Sequence, residues 1–434
     1  MQYSIQGLSA FLKASSSVFH AVDNVSRVLE KEGFTRLQES RKWMVQPGGK
    51  YFVTRNQSSL IAFTLPKSGF APMNIVASHS DSPVFRIKQK AEVDVAGKYV
   101  QLNTERYGGM IMSTWMDRPL SVAGRVLVRT NKGVQSRLVK IDRDLLVIPN
   151  VAIHMNREMN DGVKLNAQVD MLPLYGDIRA KGSFDALIAA EAGVKPEQIV
   201  GSDLYLYNRM EPSIWGGEGN YISAPRLDDL ECAYTSLCAL ISAQPGKHIN
   251  MYCLFDNEEV GSGTRQGADS SFLKDVLTRT ACALSAGSET LCACLASSFM
   301  VSADNAHALH PNHPEKSDVA NRPCMNEGVV IKFSANQKYT TDGMSNAVFS
   351  DICKRAGVPV QYYANRSDIL GGSTLGNLSS SHVSIPSVDI GLAQLAMHSS
   401  FETAGVQDAQ YMARALKAFY ETEIRAEADG SICL

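Results

Sequence analysis

No apolar run of about 18 residues occurs anywhere in the chain, so no membrane-crossing helix is expected. The opening residues, Met1-Gln2-Tyr3-Ser4-Ile5-Gln6-Gly7, lack a basic stretch followed by an apolar one, and no secretory signal is read there. A Cys-x-x-Cys pair is also missing. The nine cysteines are an odd number scattered through apolar segments, which fits reduced, buried thiols better than a disulfide framework. Cys292 and Cys294 are close, but on a strand they would share one face without making a metal site. The formal net charge is −2, so no global basic field draws nucleic acid or an anionic membrane. Repeats and low-complexity tracts are lacking. These absences leave a soluble protein, with a cytoplasmic location expected.

With 434 residues, the chain is long enough for two domains, or for one domain carrying a large insertion. Residues 8–33 carry a helical apolar rhythm that Gly33 stops. Short strand-like runs follow at Tyr51–Thr54, Ser59–Phe63 and Asn74–Ala77, with turns at Gly48-Gly49 and Asn56-Gln57. Between about 86 and 226 the texture is mostly β, with strands expected at Tyr99–Leu102, Ser121–Arg129, Leu138–Ile141 and Leu145–Ile148 and one helix at Phe184–Ala192. From 228 onward, helices and strands alternate, as in an α/β sheet covered on both faces. The expected architecture is an α/β domain formed by residues 1–86 and 227–434, interrupted by a β-rich insertion at 87–226.

Four expected strands run into potential metal ligands. Asn74–Ser78 leads to His79-Ser80-Asp81, Met251–Phe255 to Asp256-Asn257-Glu258-Glu259, and Phe299–Ala303 to Asp304. Ser387–Gly391 is followed after a short loop by His398. Ligands bind at the carboxyl ends of strands in open α/β sheets, so four segments offer donors at one edge. Asp228 adds a fifth at the start of an expected helix. Each residue alone has an ordinary reading: a polar strand end, a helix cap or a solvated acidic turn. Their matching placement is what argues for a metal centre.

Charge points to two divalent ions. Asp228, Glu259 and Asp304 supply three negative charges, His79 and His398 are neutral donors, and a hydroxide completes the balance. Paired metals of this kind sit about 3.5–4 Å apart and commonly share a carboxylate. Glu258 then stays free as a general base beside the ligand Glu259. Asp81 suits the second-nitrogen partner of His79.

Ordered motifs through nearly the whole chain resemble the aspartyl aminopeptidase family of di-zinc exopeptidases. They include Ala77–Pro83, Trp115–Arg125, Ile148–His154, Ala224–Asp228, Asp256–Gly261, Ser302–Asn312 and Gln394–Ser399. The resemblance implies His79 and Asp304 on one metal, Glu259 and His398 on the other, and Asp228 as the bridge. It implies Glu258 as the base and Asp81 as the residue that orients His79. Zinc is the implied metal, with cobalt or manganese as substitutes. Lys332 would read an acidic amino-terminal side chain of a peptide substrate. His154 would be lent by a neighbouring subunit to steady the developing oxyanion, and His307 and Tyr339 would line the substrate pocket. The implied assembly is a tetrahedral homo-dodecamer built from dimers through the insertion, with no nucleic-acid or membrane partner. A deacylase of N-acyl amino acids, a broad-specificity aminopeptidase and a self-assembling scaffold are the competing readings. Some family members carry an added amino-terminal propeptide, and none is expected here because the family-like helix begins within the first ten residues.

Overall fold

The computed structural model describes residues 1–369, 371–372 and 374–434. Its centre is a nine-stranded mixed sheet. In spatial order the strands are Thr35–Leu37, Lys50–Arg55, Ser59–Thr64, Ile249–Phe255, Met73–His79, Phe299–Ala303, Ser387–Gly391, Val329–Phe333 and Val360–Ala364. The four middle strands from Ile249 to Gly391 run parallel to one another. A parallel sheet needs both faces covered, and these strands supply apolar side chains to both. Met251, Cys253 and Phe255 enter one core, while Tyr252 and Leu254 enter the other. The helices Leu227–Ser242 and Val406–Glu421 pack together on the second face.

Register fixes where these strands end. His79 lies opposite Phe255, Ser302 opposite Ala77, and Ala303 opposite Ile390. Asp256, Asp304 and the loop after Gly391 therefore leave the sheet at one edge, as the sequence pattern predicts.

Val84–Asn208 builds a separate six-stranded antiparallel sheet with its own core around Phe85, Trp115, Val122 and Leu206. A third, five-stranded sheet joins Ser213–Trp215 and Tyr221–Ala224 to strands from the carboxyl-terminal half.

Three local expectations are corrected. The rhythm over 8–33 is two helices, Ile5–Ala14 and Val18–Lys31, because Ser15, Ser16 and Ser17 break it. Leu145–Ile148 is not a strand and makes only the isolated bridges Leu120–Leu146 and Val147–Leu174. Leu146 and Ile148 are apolar because they are buried in the core of the insertion, not because they form a ladder. Cys292 and Cys294 lie on the helix Ser288–Ala296 rather than on a strand. Among the described residues, no helix is long and apolar enough to cross a membrane.

Candidate metal centre

The sheet edge brings the five proposed ligands together. One potential ligand atom each from His79, Asp228, Asp229 and Asp304 falls within a 4.8 Å group, as does one each from Asp228, Glu259 and His398. Asp228 belongs to both groups, and each of its two oxygens lies near a different histidine. Oδ1 lies 3.6 Å from His79 Nε2, and Oδ2 lies 3.5 Å from His398 Nε2. His398 Nε2 is also 3.3 Å from Glu259 Oε2. These separations are too long for good hydrogen bonds. They suit donors that converge on a point between them.

The surroundings hold the donors in place. His398 Nδ1 is 2.6 Å from the carbonyl oxygen of Gly109, and His79 Nδ1 is 3.1 Å from that of Asp81, so each histidine presents its Nε2 to the centre. The Asp81 carboxylate reaches further than expected. Its Oδ1 is 3.4 Å from His79 Nδ1, and it also accepts the backbone N–H groups of Glu258 and Glu259 at 3.2 Å each. Buried Glu402 accepts the N–H of His398 at 2.7 Å through one oxygen and that of Asp228 at 3.0 Å through the other. Ser82 Oγ donates to the Asp228 carbonyl at 2.8 Å. The peptide between Asp228 and Asp229 is cis, and Arg226, Asn257 and His398 take left-handed backbone angles. Such angles cluster at functional sites, where the surroundings must hold them.

The electrostatics ask for a cation. Burial pushes the Glu258 carboxyl up to about 8, and it raises Glu259 and Asp304 as well, with neighbouring carboxylates adding to each shift. Burial opposes ionisation of Asp228 too, but the neighbouring His398 and His79 imidazoles hold it below the usual range. Asp228 Oδ1 and Glu259 Oε1 are buried and lack a hydrogen-bond partner among the described residues. Carboxylates packed out of water are costly unless paired or bound to metal. A donor set of two imidazoles and several carboxylates with orphaned oxygens fits divalent zinc.

An open cavity of about 320 Å³ meets this centre. His79, Asp228, Glu258, Asp304, Lys332 and Tyr339 are among its walls. Lys332 is buried, and its Nζ donates to the carbonyl of Asp304 at 2.8 Å and lies 3.6 Å from that residue's Oδ2. It also sits over the Tyr339 ring at 5.2 Å. His307 lines the same cavity, with its ring edge-on to Tyr363. His154 is exposed in the insertion and is not among the residues lining this cavity in its own chain. Sequence reasoning missed Glu402, Tyr107 and the Gly109 carbonyl. Tyr107 Oη donates to Asp81 Oδ2 at 2.6 Å.

The chain is similar to known proteins along nearly its whole length. Residues 11–420 match the family described as aminopeptidase I zinc metalloprotease (M18). A Clostridium acetobutylicum protein described as "Probable M18 family aminopeptidase 2" is 47% identical over 419 residues, covering 94% of this chain and 96% of the relative. The fold superposes on the cryo-EM structure of an Ape4 and Nbr1 complex with a TM-score of 0.92 at 34% identity, covering 97% of this chain and 88% of the other. It also superposes on the S. cerevisiae mApe1 dodecamer with a TM-score of 0.84 at 26% identity, covering 96% of each. The chain belongs to the M18 family of aminopeptidase I zinc metalloproteases and is a metallo-exopeptidase.

Proposed function

We propose that this aminopeptidase removes the amino-terminal residue of peptides, preferring Asp or Glu, at a centre of two divalent ions with Glu258 as general base. The observation that carries the reading is Asp228, whose two oxygens address two separate donor groups. His79 and Asp304 would hold one ion, Glu259 and His398 the other, and Asp228 both. Zinc is the family's metal, and cobalt or manganese would substitute. Bound ions of this kind polarise a carbonyl and lower the pKa of water.

The side chains do the rest. Glu258 stands on the cavity wall beside the donors, where it can take a proton from water and return it to the leaving amine. General acid–base help of this kind contributes roughly 10²–10⁴-fold. Lys332 and Tyr339 form a cationic and aromatic corner of the cavity that would receive an acidic side chain, and His307 lines the way in. His154 would serve the site of a neighbouring subunit, donating to the developing oxyanion. Residues 1–86 and 227–434 then form the catalytic domain, and 87–226 a dimerisation domain. The assembly would be a tetrahedral homo-dodecamer in the cytoplasm, a reading supported by the dodecamer among the structural neighbours.

The test is a panel of Asp-, Glu-, Leu- and acetyl-linked chromogenic substrates. Metal-stripped protein would be supplied in turn with zinc, cobalt or manganese. Restored cleavage of the Asp and Glu substrates above Leu is expected. Cleavage of the acetyl-linked compound alone would point to a deacylase. Equal rates on Asp, Glu and Leu would remove the acidic preference. Light scattering should find a species twelve times the 47.2 kDa chain.

A further inference from the structure

A short strap from the β-rich insertion passes beside the metal centre. It begins where the strand Tyr99–Tyr107 ends and runs through Gly108 and Gly109 to Ile111. At its start, Tyr107 Oη donates to Asp81 Oδ2 at 2.6 Å and accepts from Asn257 Nδ2 at 2.8 Å. Next, a Cβ on Gly108 would sit 3.1 Å from Glu259 Cβ, so any side chain there would press on Glu259. Gly108 has a φ of +77°, which also suits glycine. Further on, the Gly109 carbonyl faces His398 Nδ1, and the Ile111 N–H donates to the His398 carbonyl at 3.0 Å. One five-residue segment therefore touches the supports of Glu258, Glu259 and His398.

We infer that Tyr107 is a positioning residue of the metal centre, supplied by the insertion, and that it acts by fixing the Asp81 carboxylate. The argument is one of bond quality. Asp81 is buried and is held by two backbone amides at 3.2 Å and a histidine nitrogen at 3.4 Å, all long. The Tyr107 bond at 2.6 Å is its one short contact among the described residues. A hydroxyl bonded to a carboxylate at this length is at the short, strong end for an O–H donor. Without it, Asp81 can turn away from the Glu258 and Glu259 amides and from His79 together. The Asn257 amide, next in sequence to Glu258, loses its partner in the same step. A space-filling role would need only the ring, which packs edge-on against Tyr205 at 6.3 Å. The insertion thus has a task at the site beyond assembly.

The inference rests on the two-ion reading, and the experiment separates the two. Zinc affinity is measured by competition with a chelator on the full-length protein, alongside kcat and KM for an aspartyl substrate. Tyr107→Phe should raise the zinc dissociation constant about 10–100-fold, the range for outer partners of metal ligands. It should lower kcat at least tenfold and leave KM within twofold. Tyr205→Phe removes a hydroxyl from the neighbouring ring and should match wild type. In a double-mutant cycle with Asp81→Asn, the second change should add little to the first. Wild-type zinc affinity and kcat in Tyr107→Phe would overturn the inference, as would simple additivity in the cycle. A wild-type protein that binds no zinc would instead overturn the metal reading.

Discussion

Glu402 offers a direct probe of how the fold holds its ligands. It comes from the strand Glu402–Gly405 and is 1% exposed. Its two oxygens accept the N–H groups of Asp228 and His398, two proposed ligands 170 positions apart in sequence. His398 has a φ of +67°, a conformation costing of order 1–3 kcal/mol for a non-glycine residue. The bond from its N–H to Glu402 helps offset that cost. Glu402→Gln keeps size and shape but places an NH₂ group against one of the two N–H donors. One buried donor is then left unpaired, a loss of about 1–3 kcal/mol. The change should appear twice. Urea unfolding of the zinc-free protein should weaken by that amount, and zinc affinity should fall about 10–100-fold as the ligand backbones loosen. Chelator competition with a zinc-sensitive dye reads the second effect. Unchanged unfolding and unchanged zinc affinity would refute the claim that this carboxylate clamps the centre.

Two further outcomes follow from particular side chains. Lys332→Met should lower kcat/KM for aspartyl over leucyl substrates roughly 10–100-fold, the value of one charged hydrogen bond of about 1.5–3 kcal/mol; an unchanged ratio would remove Lys332 from substrate selection. His20 is pushed from its ordinary 6.5 to about 4 by burial and then by Lys140, Arg226 and Arg27. The native state therefore favours its neutral form, and the resulting stability is present above pH 6.5 and lost as pH falls towards 4. The full effect is at most about 3 kcal/mol. His20→Gln should flatten the unfolding free energy over that window relative to wild type, and identical pH curves for the two proteins would refute the assignment.

The strand ends were legible in the sequence because apolar runs stop abruptly at His79, Asp256 and Asp304, and parallel pairing carries those stops to one edge. The Glu258-Glu259 pair was legible for the same reason, since a polar turn directly follows the buried strand Ile249–Phe255. The supports were not legible. Glu402 reaches Asp228 and the Gly109 carbonyl reaches His398 across 174 and 289 residues, and no local pattern marks such a contact. Tyr107 ends an ordinary strand and gains its role only where the insertion meets the α/β sheet. The helical rhythm over 8–33 did not reveal the break at Ser15-Ser16-Ser17, because apolar spacing persists across it. Ser17 precedes the second helix in extended conformation, with its hydroxyl 2.8 Å from His20 Nδ1.

The central claim is that Glu258 moves the proton while its neighbour Glu259 holds metal. Metal content and turnover of Glu258→Gln, measured on the same purified sample, test it most directly. The account predicts two divalent ions per chain, as in wild type, with nearly all turnover on an aspartyl substrate lost. Wild-type turnover, or the loss of an ion, would contradict it.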